Sequence, residues 1–187
     1  RDFVRALDDA DELLRIEKSV DMRRLSALMS QSDKAMMFEN IADYPDWRVA
    51  GALITSRARL AIAMDCGAGE IAARFEERAA RPIEPEIVEN GPSQEVVLEG
   101  DDVDLSALPF PMMHLFDGGP YISGTFVVSK DPEYGRNCGS YRMMYRTPKE
   151  TGIDLVSPSD MRFYYQRALD QGKPLEIAVA VGVHPYE

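Results

Sequence analysis

The stretch 117–146, DGGPYISGTFVVSKDPEYGRNCGSYRMMYR, constrains this chain more than any other. Its pattern predicts a strand over 121–129, a loop over 130–136 and a return strand over 137–146. The β-branched and aromatic residues Ile122, Thr125, Phe126 and Val127, and the later Tyr141-Arg142-Met143-Met144-Tyr145 run, suit a pleated, partly buried surface. Asp131-Pro132 and Gly135 break both strand and helix, which sets the loop between them. Gly118 and Gly119 open the hairpin, and the return strand begins Asn137-Cys138-Gly139-Ser140-Tyr141-Arg142.

A strand with that opening can offer backbone N–H groups, an amide and a hydroxyl to a phosphate. Arg142 adds a fixed fork of donors suited to a carboxylate or phosphate. Asn137 and Arg142 lie an odd number of residues apart, so on a flat strand they face opposite sides. Bringing them together requires a bulge at Gly139. The alternative reading of the same residues is an ordinary sheet edge with solvated Arg and Asn.

At 187 residues, with 45% hydrophobic and 28% charged residues, the chain has the make-up of a globular protein with a real core. A formal charge of −11 argues against nucleic acid and anionic membrane surfaces as partners. No apolar run approaches the ~20 residues that span a bilayer, and no signal peptide opens the chain. The first residue is Arg rather than Met, so a trimmed or disordered start is expected. Cys66 and Cys138 lie far apart and outside any CxxC pair, which points to a reducing cytoplasm and to buried apolar roles. With His114 and His184 the only histidines, a Ser-His-Asp machine or a histidine-rich zinc site has little support.

Before the hairpin, apolar spacing predicts a helix over 2–14 capped by Asp2, a strand at 14–17, and a second helix capped by Asp21. Buried strands are expected at 35–38 and 49–54, then helices over 56–64 and 68–80, the latter with Ile71, Phe75 and Ala79 as its apolar stripe. Residues 81–92 read as an extended connection, 95–98 as a short strand and 101–108 as a turn. Pro109 and Pro111 fix the approach to the hairpin, and a domain boundary is placed near Leu108. After the hairpin, 147–152 reads as a polar connection, 153–156 as a strand, and 161–171 as a helix ended by Gly172. The apolar run 175–183 reads as a core strand. A domain rarely ends beside its most buried strand, so further residues beyond 187, or another chain, are expected to complete the fold.

The ordered series DDVDLSALPFP (101–111), DGGPYI (117–122), NCGSYRM (137–143) and GKPLEIAVAVG (172–182), preceded by RDFVRALDDADELLRI and SDKAMMFENI, resembles the UbiD-type reversible decarboxylases along essentially the whole chain. That resemblance implies an α+β chain: an amino-terminal α/β domain over 1–108 and the first part of a split β-barrel flavin-binding domain over 109–187. It implies non-oxidative, reversible decarboxylation of an aromatic or α,β-unsaturated carboxylic acid. The implied cofactors are prenylated FMN, a divalent metal (manganese or magnesium) and potassium. CO2 and a small carboxylic acid are the implied substrates, in a cytoplasmic homodimer or higher homo-oligomer.

Residue by residue, the resemblance makes Asn137 a metal ligand through its amide oxygen. It places Gly139, Ser140 and Tyr141 against the flavin and Arg142 beside the substrate carboxylate in a Glu-Arg-Glu network. One departure stands out. Where the family has a metal-binding histidine, this chain reads Ser157-Pro158-Ser159-Asp160-Met161, with Ser159 on the cofactor side and Asp160 at the histidine's position. A carboxylate suits a hard ion, while the other reading of Asp160 is a cap for the helix that follows. A third metal ligand and two catalytic glutamates are expected downstream of Glu187. The rival reading is a non-catalytic flavin-binding or structural subunit that completes a decarboxylase with a partner chain. Met113, His114, Tyr121 and Thr125 are pocket candidates that core packing explains equally well.

Overall fold

Helix α1 is Asp2–Asp9, shorter than the 2–14 span expected, because Asp11 takes a left-handed backbone (φ 56°) and the chain turns into strand β1, Leu13–Ile16. Arg1 sits at the cap position of α1 and Asp2 is its first helical residue, so Asp2 caps nothing. These features belong to a computed structural model that describes residues 1–156 and 158–184. Asp21 accepts a hydrogen bond from the Arg23 backbone N–H at 2.8 Å and opens a 3₁₀ turn, Met22–Arg24, that runs into α2, Leu25–Met29.

Strand β2, Ala35–Phe38, pairs in parallel with β1 and antiparallel with β3, Val49–Gly51. The expected strand over 49–54 stops at Gly51 because Ala52 is left-handed (φ 56°). Successive β2 residues point to opposite faces, and both faces are covered. Met36 and Phe38 pack with Val20, Leu25 and Ile41, while Ala35 packs with Phe3, Leu7, Leu13 and Ala63. Ser56 caps α3, Arg57–Met64, whose buried Arg59 bonds Glu12, the Asp33 carbonyl and Thr55. In α4, Ile71–Ala79, Ile71 is buried but Phe75 is largely exposed, so the expected stripe does not face inward as a unit.

Residues 81–108 carry only 3₁₀ turns, at Pro92–Gln94, Gly100–Asp102 and Leu105–Ala107. No strand forms over 95–98, where Val96, Val97 and Leu98 are exposed and no described strand lies beside them.

The expected long hairpin is real, but both of its strands are broken. The outgoing one divides into β4, Tyr121–Ile122, and β5, Thr125–Asp131; the return divides into β6, Gly135–Gly139, and β7, Met143–Thr147. Gly124, at φ 67°, makes the first break in a conformation that a side chain would strain. After β7, a tight turn at Pro148-Lys149 leads to β8, Glu150–Ile153, so the strand expected at 153–156 forms earlier and the polar connection is part of a hairpin. Helix α5, Asp160–Asp170, and β9, Ile177–Val181, follow.

The pieces sort into two sheets, β4-β7-β8 and β6-β5-β9. The chain crosses directly between them at 123–124 and at 140–142, as strands do when they turn a corner between packed sheets, and a third time through α5, from β8 to β9. The six strands do not close into a barrel among the described residues. Ile122, Val127, Met143 and Met161 fill the space between the sheets and α5. β9, expected in the core, is an edge strand whose Val181 is 60% exposed, because no described layer covers its outer face. The chain end 185–187 and Ser157 lie outside the described residues. Among the described residues no helix is long and apolar enough to cross a membrane.

Candidate functional site

The second crossing, 140–142, is the centre of the site. β6 ends at Gly139, where an added Cβ would stand 2.7 Å from the Tyr141 ring, so only glycine lets that ring fold back onto the strand. The freed segment is pinned from both sides. Thr125 Oγ1 donates to the Tyr141 carbonyl at 2.7 Å, and the Asp154 N–H donates to the Arg142 carbonyl at 3.3 Å. The expected bulge at Gly139 is therefore a full exit from the strand.

Asn137 instead meets Asp160. Its Nδ2 donates to Asp160 Oδ2 at 3.2 Å, while its Oδ1 is buried with no hydrogen-bond partner. A buried amide oxygen without a donor is costly unless something binds there, about 1–3 kcal/mol. The amide oxygen can only accept, and a carboxylate stands beside it. Both properties fit a hard cation and exclude an anion. Asp160 does not cap α5. Ser159 does, with Oγ accepting from the Arg162 N–H at 3.3 Å, which leaves Asp160 as the first helical residue with its carboxylate turned to Asn137.

A groove of about 290 Å³ runs alongside, lined by Ser140, Tyr141, Arg142, Asp154, Leu155 and Ser159. It gathers four of the sequence-derived site residues, Ser140, Tyr141, Arg142 and Ser159. Arg142 is largely solvent-exposed, lies over the Tyr121 ring at 4.8 Å and reaches Asp154 Oδ2 at 3.7 Å. An ion pair so open holds the guanidinium loosely and leaves donors for an incoming carboxylate. Of the pocket candidates, Tyr121 and Thr125 support this segment, whereas His114 sits in an exposed turn outside the groove.

Asp154 was not evident from the sequence. Its only signal is its place immediately after β8, opposite the 140–142 break. Helix α5 is anchored at its other end by Arg167, which donates to Asp131 at 2.9 Å and Glu133 at 2.6 Å and lies over the Tyr134 ring. Burial pushes the nearby Tyr164 phenol up, and the charges of Asp160 and Asp131 push the same way.

Comparison with known proteins bears on this arrangement. The family model for the 3-octaprenyl-4-hydroxybenzoate carboxy-lyase Rift-related domain, UbiD, matches residues 86–187, and that for the N-terminal domain of the same carboxy-lyase matches residues 4–79. A phenolic acid decarboxylase of Escherichia coli O157:H7 is 30% identical over 203 residues, spanning 99% of this chain and 43% of that protein. The UbiD-class enzyme HmfF of Pelotomaculum thermopropionicum, in complex with prFMN, matches with a TM-score of 0.92 at 30% identity, over 99% of this chain and 44% of that one. Vanillic acid decarboxylase of Sedimentibacter hydroxybenzoicus, in closed form, matches with a TM-score of 0.89 at 27% identity, over 99% and 43%. The chain thus spans less than half the length of these relatives.

Proposed function

The chain belongs to the UbiD family of carboxy-lyases, and on that premise we propose that it supplies the amino-terminal and flavin-phosphate-binding portions of a reversible, non-oxidative decarboxylase. The substrate class is an aromatic or α,β-unsaturated carboxylic acid, with CO2 as the co-product. The relatives named above as decarboxylases and the prFMN complex of HmfF support this assignment. The observation that carries it to these residues is the buried, unpartnered Oδ1 of Asn137 beside the Asp160 carboxylate.

In this proposal residues 1–108 form the amino-terminal domain and 109–187 the opening of the flavin domain. Asn137 Oδ1 and Asp160 would hold a divalent magnesium or manganese ion, with potassium as a second ion, and the divalent ion would supply positive charge for the flavin phosphate. Ser140 and Tyr141 line the flavin's groove, with Gly139 giving Tyr141 its room. Ser159, whose oxygen accepts from Arg162, keeps its hydroxyl proton to donate toward the phosphate. When bound, prenylated FMN would supply an electron sink for the pair left on the substrate carbon that bore the carboxylate as CO2 departs. Arg142 orients the substrate carboxylate with two parallel donors, a geometry Lys cannot copy, and exchanges its loose contact with Asp154 for the substrate.

No group of three or more His, Cys, Asp or Glu side chains that could hold a metal occurs among the described residues. In this proposal a further ion ligand and the proton-transferring carboxylates are contributed from elsewhere in the protein or by a partner chain. This favours, as a second reading, a chain that completes its site with a partner subunit. The first reading is of a cytoplasmic homo-oligomer, the second of a cytoplasmic assembly with a second chain.

The test is to purify the protein at its natural length and measure intact mass, flavin absorbance, metal content and CO2 release from a panel of aromatic and cinnamic-type acids. Stoichiometric modified flavin with decarboxylation supports the first reading. Bound flavin without turnover, restored by a second chain, supports the other. Absence of both flavin and divalent metal in protein made alongside a prenylated-FMN supply overturns both.

A further inference from the structure

Ser129 lies on β5 directly opposite Asn137 on β6. Residues opposed in an antiparallel pair project from the same face, their Cβ atoms about 5 Å apart. That face is the buried one, beneath α5: Thr125, Val127, Ser129 and Asp131 are all buried, and the residues between them are more exposed. Val127 meets Met161 and Asp131 meets Arg167, so Ser129 lies under the helix between these two contacts.

Ser129 is 2% exposed, and its Oγ is buried without a hydrogen-bond partner. Only three such side-chain atoms occur among the described residues: Arg59 Nε, Ser129 Oγ and Asn137 Oδ1. Two of the three thus sit on one cross-strand pair. Each alone carries an uncompensated desolvation cost, and buried polar groups are ordinarily satisfied. One bound group between the strands would satisfy both. Asn137 Oδ1 can only accept, so the group is a donor or a cation, and the Asp160 carboxylate attached to the same amide favours positive charge.

We propose that Ser129 is a further residue of the ion site: its buried hydroxyl oxygen faces the cation that Asn137 Oδ1 and Asp160 bind, directly or through one ion-bound water. The inference rests on the reading that Asn137 and Asp160 hold a divalent ion. It adds a neutral oxygen to a site with little soft-donor character, which suits manganese and magnesium over zinc. It also explains why a serine occupies a strand position whose neighbours on the same face, Thr125, Val127 and Asp131, each have a packing or hydrogen-bonding partner.

The experiment titrates Mn²⁺ alone into the natural-length, ion-stripped protein, read by electron paramagnetic resonance and by thermal unfolding with and without ion. Wild type is compared with Ser129→Ala, Ser129→Thr and Asn137→Ala. Removing a hydroxyl whose only role is an unsatisfied burial should leave the ion-free protein as stable as wild type or more so. The same variant should bind Mn²⁺ ~10-fold or more weakly, the range typical for groups supporting a metal, and give an altered Mn²⁺ signal. Ser129→Thr, which keeps the oxygen, should recover most of the affinity.

Equal Mn²⁺ affinity and an unchanged spectrum in Ser129→Ala, with binding lost in Asn137→Ala, overturn the Ser129 assignment and leave the ion site standing; an adjoining buried water then satisfies both oxygens. Equal binding in Asn137→Ala, or no binding in wild type, overturns the ion site itself. A Ser129→Ala protein that is destabilised without ion and regains nothing as threonine shows a packing role and also overturns the inference.

Discussion

The amide of Asn137 donates from Nδ2 to Oδ2 of Asp160 across 3.2 Å, joining the middle of strand β6 to the first turn of a helix. That single contact orients the amide. With Nδ2 engaged, Oδ1 is the amide's free acceptor, and it is buried with no donor. An amide fixed in this way presents a permanent acceptor, which a cation can use and a passing water satisfies only in part.

The first expectation follows from that orientation. Asn137→Ala removes the buried acceptor and the link to Asp160 together. If the proposed ion couples the flavin phosphate to the protein, divalent metal and flavin should be lost in parallel. Metal analysis and flavin absorbance after dialysis against chelator check this; a variant that retains a full flavin spectrum would show that the phosphate is held without the ion.

Arg142 makes a different prediction because its present contacts are open. Replacing it with Lys keeps a positive charge near Asp154 but loses the planar fork over the Tyr121 ring. Flavin should remain bound while turnover falls ~100-fold or more, the size of loss expected when an oriented charged donor is removed from a transition state. The discriminating measurement is kcat with flavin occupancy in the same preparation. Equal turnover at equal occupancy would remove Arg142 from the chemistry.

Much of this site was legible in the residues, but its assembly was not. The ordered motifs led to Asn137, Ser140, Tyr141 and Arg142, and side-chain parity set Asn137 and Arg142 on opposite faces of a flat strand unless Gly139 bulged. What parity could not convey is that the strand ends at Gly139, since the signal lies in a ring-to-backbone contact with Tyr141 rather than in local propensity. Asp154 and Ser129 were invisible because their meaning comes from register: each is an ordinary residue until β7–β8 and β5–β6 pair. The same limit explains β9, whose composition is that of a core strand while its outer face is open among the described residues. At 95–98, β-branched composition without a partner strand produced no strand at all, as expected when sheet propensity depends on what lies alongside.

A third prediction concerns the clamp at the far end of α5. Burial alone would raise the Asp131 carboxyl. It is outweighed by hydrogen bonds from the Glu133 and Tyr134 N–H groups and from Arg167, and the pKa is lowered overall. A depressed carboxylate stabilises the fold fully above its unfolded value, near pH 4, and that contribution fades as pH falls through the lower folded value. Asp131→Asn should therefore lower Tm at pH 7, and its gap from wild type should narrow as pH falls below ~4. Arg167 stays protonated throughout and adds no titration of its own. Tm measured from pH 7 to pH 2.5 tests this; a gap of constant size would assign the effect to packing rather than charge.

The last prediction separates two roles that a sequence places one residue apart. Ser159 caps α5, while Asp160 follows it with its carboxylate on Asn137. Ser159→Ala should cost ~1 kcal/mol of stability, the usual loss for a helix cap, with Mn²⁺ affinity nearly intact. Asp160→Ala should do the reverse. It removes a first-turn charge, a small effect at an exposed position, together with the acceptor for Asn137 Nδ2, and it should release the divalent ion and the flavin with it. Asp160→His restores the ligand type found in the family and should admit zinc or iron more readily, because an imidazole nitrogen is a better donor to those ions than a carboxylate oxygen. Metal content and unfolding midpoints, measured on all three variants, decide the matter. Full metal occupancy in Asp160→Ala would mean that Asp160 serves only to orient Asn137, and that the ion is held by the amide and by ligands outside these residues.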